Sequence, residues 1–105
     1  MAEPHIPEAN ITIIAETFRL LGDPTRLKIL LVCLEGPRPV GDIAQAVDAS
    51  QSLVSHHLRL LRAARLVVGT RKAKQVIYEA ADDHIRHMLA DMIAHSDEEP
   101  DAPDH

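Results

Sequence analysis

The sequence contains a single cysteine, Cys33, so no disulfide can form within the chain. It sits in the apolar stretch RLKILLVCL, where a buried thiol is expected rather than a reactive one. Also absent is any apolar run of the roughly 20 residues that a membrane-spanning helix requires. The opening MAEPHIPEAN has neither the basic flank nor the apolar block of a signal peptide. A soluble, cytoplasmic protein with no membrane partner is therefore expected. There are no internal repeats, no phosphate-cradling glycine loop and no low-complexity segment before the last residues. No nucleophile stands beside a base, so neither an enzyme nor a small organic substrate is expected.

Acidic residues are missing too, but only from part of the chain. The net charge of −5, spread evenly, would argue against nucleic acid. Residues 49 to 78, however, carry Arg59, Arg62, Arg65, Arg71, Lys72 and Lys74 with no acid. Residues 82 to 105 hold eight acids against Arg86 alone. This split predicts a basic working surface in the middle of the chain and a solvated acidic tail after it.

At 105 residues the chain makes one domain, small enough that dimerisation would help it. Residues 1–9 are expected to be a flexible tail, 10–96 the folded domain and 97–105 a disordered acidic tail. ITIIAETFRLL (11–21) reads as a helix with Ile11, Ile14, Ala15, Phe18 and Leu21 on one face, expected to join a dimer seam. In GDPTRLKILLVCLEG, Asp23 is placed to cap a second helix, Pro24 suits its first position, and Gly36 with Pro37 ends it. After a short connection, PVGDIAQAV spaces Val40, Ile43, Ala44 and Val47 helically. DAS interrupts, and QSLVSHHLRLLRAARL resumes at Gln51 with Val54, Leu58 and Leu61 inward.

A helix, a three-residue turn and a second helix are what a helix-turn-helix needs to present its second helix to the DNA major groove. Ser52, Ser55, His56 and Arg59 fall opposite the apolar stripe, beside Gln51 at the helix start, where they can reach base edges or phosphates. A merely solvated polar face would look similar, but the acid-free stretch continues into the next element and favours DNA. LVVGTRKAKQVIYEA (66–80), β-branched and broken by RKAK, suggests two short strands with a cationic tip, a wing whose Arg71, Lys72 and Lys74 would contact phosphates. The predicted fold is mainly α with a small β-hairpin wing: a winged helix-turn-helix.

DDHIRHMLADMIAHSDE (82–98) places Asp82, His84, His95 and Glu98 on one predicted helix. The eleven steps between the histidines span roughly 16 Å along a helix axis, too far for one ion, yet close to three full turns, so both point the same way. The geometry closes if two copies pair antiparallel about a two-fold axis, Asp82 and His84 of one meeting His95 and Glu98 of the other. Ile85, Met88, Leu89, Met92 and Ile93 supply an apolar stripe for such a seam. In the plainer alternative, Asp82 or Asp83 is only a helix cap and the histidines are solvated.

Three blocks of this sequence resemble the ArsR/SmtB family of metal-sensing repressors, which are winged-helix homodimers. LGDPTRLKIL resembles the family's second helix, SQSLVSHHLRLLRAARLV its recognition helix, and D-x-H, ten residues, H-x-x-E its C-terminal dimer helix. The resemblance covers about residues 10 to 98 and lands on Asp82, His84, His95 and Glu98 without a gap. The family's alternative cysteine site falls on Pro39-Val40-Gly41, so the thiolate set suited to arsenic, cadmium or lead is absent. His57 stands where relatives commonly have glutamine, and Ala73 where a wing-tip glycine is common, which leaves the turn type open. Two imidazoles and two carboxylates suit tetrahedral Zn(II); Ni(II) or Co(II) would want two further ligands, for which His5 and the amino-terminus are candidates. His87 and His105 are further, solvated candidates. The resemblance implies release from a near-palindromic double-stranded DNA operator on metal binding, relayed from His95 to the backbone carbonyl of Arg65. Two rivals remain open: a hydrolytic zinc site, and a winged-helix regulator whose metal site is vestigial.

Overall fold

The computed structural model describes residues 5–98 and 100. The elements run α1 (Glu8–Leu21), α2 (Pro24–Glu35), β1 (Arg38–Pro39), α3 (Val40–Val47), α4 (Gln51–Ala63), β2 (Val67–Lys72), β3 (Gln75–Ala80) and α5 (Asp83–Asp97). The Asp23 carboxylate accepts from Arg26 N at 2.9 Å and starts α2 with Pro24 at its first position. Gly36, at φ 150°, ends α2 in a conformation that side chains disfavour. Ser50 caps α4, its hydroxyl accepting from Leu53 N at 3.1 Å. The break between α3 and α4 is made by Asp48, which closes α3 in the left-handed region at φ 56°.

Three outcomes differ from the sequence expectations. First, α1 begins at Glu8 and takes in Glu8 and Ala9, which the sequence assigns to the tail; Pro7 precedes it without a side-chain cap. Second, the residue α1 buries in its own chain is Leu20, while Ile11, Ile14, Ala15 and Phe18 stay exposed. Periodicity identifies an apolar stripe without saying which chain covers it. Third, the connection before α3 holds a strand: Arg38 and Pro39 pair antiparallel with Tyr78 and Ile77, so the wing is a three-stranded sheet ordered β1-β3-β2.

The core gathers Ile29, Leu30 and Cys33 of α2, Ile43 of α3 and Val54, Leu58 and Leu61 of α4, closed by Leu66, Val67 and Leu89. Each such large side chain contributes about 1.5–3 kcal/mol on burial. Burial pushes the Cys33 thiol up to about 12, so it stays protonated and inert, as expected.

One polar cluster is packed against this core. Arg26 donates from Nε to His57 Nδ1 at 3.3 Å and from Nη1 to Leu20 O at 2.9 Å, tying the end of α1 and the start of α2 to α4. Acceptance at Nδ1 leaves the His57 proton on Nε2, 3.8 Å from Asp23 Oδ2. Burial, and then the Arg26 guanidinium, hold the imidazole below its ordinary value of 6.5; Asp23 pulls the other way and His56 adds to the lowering. The unfolded chain therefore binds this proton more readily than the folded one, and stability is lost as pH falls from about 6.5 toward the folded-state value. Thermal melts between neutral and mildly acid pH should show a steeper loss of Tm for the wild type than for His57→Gln. Parallel Tm profiles would remove His57 as an acid-sensitive contact.

Candidate nucleic-acid interface and metal-ligand face

The two-sidedness of α4 sets the first site. Val54, His57, Leu58 and Leu61 are buried, and Gln51, Ser52, Ser55, His56 and Arg59 are all exposed, as the periodicity predicts. His56 and His57 are adjacent in sequence but take opposite fates, the second being only 7% exposed. Leu53, in the first turn, is also exposed.

The wing follows directly. The last turn of α4 closes with Arg65 in the left-handed region at φ 63°; Arg65 N donates to Arg62 O at 3.0 Å and Leu66 N to Leu61 O at 2.9 Å. This paired closure usually employs glycine, so an arginine here carries a backbone cost of about 1–2 kcal/mol. From there β2 and β3 run in register from Val67↔Ala80 to Lys72↔Gln75, leaving Ala73 and Lys74 as a two-residue turn. Ala73 has φ 55° and Lys74 no positive φ, the pattern of a type II′ turn rather than I′. Arg71, Lys72 and Lys74 are exposed at this end.

Two further residues border the same surface: Arg62, which the sequence places only in the basic stretch, and Tyr78, to which it assigns no role. Arg62, with Ser55 and Arg59, follows the i, i+4, i+7 spacing of one helix flank, a signal present in the sequence. Tyr78 reaches that flank from β3, and the three line a groove of about 250 Å³ with Tyr78. Only the register of the sheet could have placed the tyrosine there.

The second site lies on α5. Asp82 caps the helix, its Oδ1 accepting from Ile85 N at 3.0 Å, and Glu98 follows the last helical residue in extended backbone. His84 and His95 lie within the helix, and all four candidate ligands are exposed. Among the described residues no group of three potential ligands comes together within one chain. The donor set fits a metal shared between chains: the cap occupies one oxygen of Asp82, and among the described residues no ion pair engages His84, His95 or Glu98. His5 is exposed just before α1; the amino-terminus and His105 lie outside the described residues. Arg65 lines a groove with Thr12, Ile13, Glu16 and Thr17 of α1, and no hydrogen bond joins it to His95 within one chain.

Comparison with known proteins agrees with this architecture. The model for bacterial regulatory proteins of the arsR family matches residues 23–68, the span from the α2 cap to the start of the wing. The transcriptional regulator NmtR of Mycobacterium tuberculosis is 43% identical over 84 residues, covering 80% of this chain and 70% of that protein. The chain belongs to the ArsR family. The NMR structure of the cadmium metal-sensor CmtR of M. tuberculosis is 36% identical, with a TM-score of 0.68 over 87% of this chain and 96% of that one. The homodimeric winged helix-turn-helix DNA-binding domain Mb0332 of Mycobacterium bovis covers 100% of both chains, with 25% identity and a TM-score of 0.78.

As a member of the ArsR family the chain is a transcriptional regulator that binds DNA as a homodimer, and not an enzyme. The fold leaves apolar side chains of two helices exposed. Ile11, Ile14 and Phe18 of α1 and Met92 and Ile93 of α5 are exposed, with Phe18 57% and Met92 53% accessible in one chain. Apolar area of this kind is ordinarily buried in the assembled state. Phe18→Glu together with Met92→Glu should sediment as a single chain while keeping its helical circular dichroism. A persisting dimer would move the seam elsewhere.

Proposed function

We propose that the chain is a cytoplasmic, metal-released repressor whose C-terminal helices share metal between protomers. Asp82 and His84 of one protomer and His95 and Glu98 of the other form each of two equivalent sites. The observation that carries this is the arrangement on α5: the four donors are exposed, Met92 and Ile93 beside His95 are exposed with them while Ile85, Met88 and Leu89 pack on the chain's own core, and His84 and His95 are too far apart to meet in one chain. Two imidazoles and two carboxylates favour Zn(II) in a tetrahedral site; Ni(II) or Co(II) would need further ligands, with His5 the described candidate. When bound, the ion supplies a fixed electrostatic bridge between the two helices.

The chain's own groups do the rest. Gln51, Ser52, Ser55, His56 and Arg59 of each protomer address base edges and nearby phosphates in a near-palindromic operator, and Arg71, Lys72 and Lys74 address phosphates from the wing. His95 would hold the ion through one ring nitrogen, and its other N–H would donate to the backbone carbonyl of Arg65. That bond ties the end of the dimer helix to the end of α4 and favours a dimer geometry in which the two reading heads no longer fit successive grooves. The left-handed backbone of Arg65 supports this, because it turns the chain where such a tie would act.

The cap made by Asp82 favours a second reading, in which the metal site is vestigial and the carboxylate only starts α5. Asp82→Asn separates the two, since asparagine caps as well as aspartate but is a poorer ligand. Saturating Zn(II) should weaken operator binding of the wild type about tenfold or more, with DNA weakening metal binding by the same factor. Asp82→Asn should lower metal affinity and leave metal-free operator binding intact. Fluorescence anisotropy with a metal panel checks this. Unchanged or tighter operator binding with zinc, nickel and cobalt alike would overturn metal release.

A further inference from the structure

Gly69 lies mid-strand in β2, and its φ is not in the range that requires glycine. Its reason for being glycine is space. A Cβ there would stand 3.0 Å from Tyr78 Cε1, 3.3 Å from Tyr78 Cδ1 and 3.1 Å from Val76 Cγ1. Gly69 and Tyr78 are direct cross-strand partners, so the tyrosine ring lies across the strand where that side chain is missing. The ring is half-buried and packs against the core. It lines the groove with Ser55, Arg59 and Arg62, and neither arginine has an acidic partner within ion-pair distance among the described residues. An adjoining cleft shares Ser55 and Tyr78 and reaches Lys74 at the wing tip.

B-form DNA dictates what fills such a cleft. Its major groove, about 12 Å wide, admits a helix, and its minor groove, about 6 Å wide, runs alongside. The wall between the two grooves is the sugar-phosphate backbone. With α4 in the major groove and the wing tip at the neighbouring groove, that wall has to pass between α4 and the sheet. We propose that Arg62 and Tyr78 hold a backbone phosphodiester of the operator there, and that Gly69 is the vacancy that sets the tyrosine ring. The inference rests on the placement of α4 proposed above. Arg62 supplies charge and Tyr78 a neutral donor, so the contact seats the protein on duplex DNA of any sequence.

The test is anisotropy titration of the operator duplex and a scrambled duplex over a series of salt concentrations, with circular dichroism as the fold control. Arg62→Gln should lower the slope of log affinity against log salt by about 0.9 per protomer, about 1.8 per dimer, and weaken both duplexes by the same factor. Tyr78→Phe, which removes one oxygen, should weaken both duplexes roughly tenfold and leave the slope unchanged. Gly69→Ala should reproduce the Tyr78→Phe loss by displacing the ring. Ser55→Ala and Arg59→Ala should instead lose preference for the operator. If those two lose operator binding while Arg62→Gln keeps the wild-type slope, or while Tyr78→Phe binds both duplexes normally or weakens only the operator, the phosphate site is wrong and the placement of α4 stands. If Ser55→Ala and Arg59→Ala also bind as wild type, the placement of α4 falls with it.

Discussion

The burial of one stripe of α4 against α2 and α3 governs what this molecule can present to DNA. Val54, Leu58 and Leu61 share the core with Ile29, Leu30, Cys33 and Ile43, and their burial fixes the rotation of the helix about its axis. A helix turns about 100° per residue, so once three positions point inward the outward ones are determined. Gln51, Ser52, Ser55, His56 and Arg59 are exposed because of that constraint. His57 extends it at the edge: Arg26 spans from Leu20 O to His57 Nδ1 and holds α4 to the α1–α2 junction by a directional contact where the apolar one ends.

The wing inherits its place from the same helix. Leu66 and Val67, immediately after the left-handed turn at Arg65, are buried in the core, so the sheet starts from a fixed point. Ala81 N donates to Leu66 O at 3.0 Å, which returns the far end of β3 to that point before α5 begins. The cleft between α4 and the sheet is therefore bounded by two elements with a common anchor. Its lining residues come from positions 55 to 62 on one side and from Tyr78 on the other.

Elements specified by neighbouring residues were legible in the sequence, and those specified by distant ones were not. Asp23, Pro24 and Gly36 state both ends of α2 within a few residues of the events they cause. The outward face of α4 follows from periodicity, and the two long wing strands follow from β-branched residues broken by RKAK. The burial of His57 was also legible in principle, since it stands three residues after Val54 and four before Leu61 on the inward side. By contrast β1 is two residues long and contains a proline, so no local signal distinguishes it from a connection; it exists because β3 offers an unpaired edge. The cross-strand meeting of Gly69 with Tyr78 depends on register, which the type II′ turn at Ala73 helps to set. The candidate ligands were legible as residue types and spacing, and of the two possible caps, Asp82 and Asp83, the structure chooses Asp82.

The two halves of α5 are held differently, and this bears on any signal the helix could carry. Its first half packs inward: Leu89 is in the core, Ile85 and Met88 lie against it, and Arg86 Nη1 donates to Leu34 O near the end of α2. Its second half, from Asp91 onward, is exposed along its whole length, including Met92, Ile93 and His95. Among the described residues no side chain of the second half is buried, whereas the first half is tied through Leu34 to the segment that leads into β1 and α3. In the proposed dimer the partner's helix would pack against this second half. Under the proposed function a force applied at His95 would act on a lever whose other end is fastened to the helix-turn-helix core by Leu89 and Arg86.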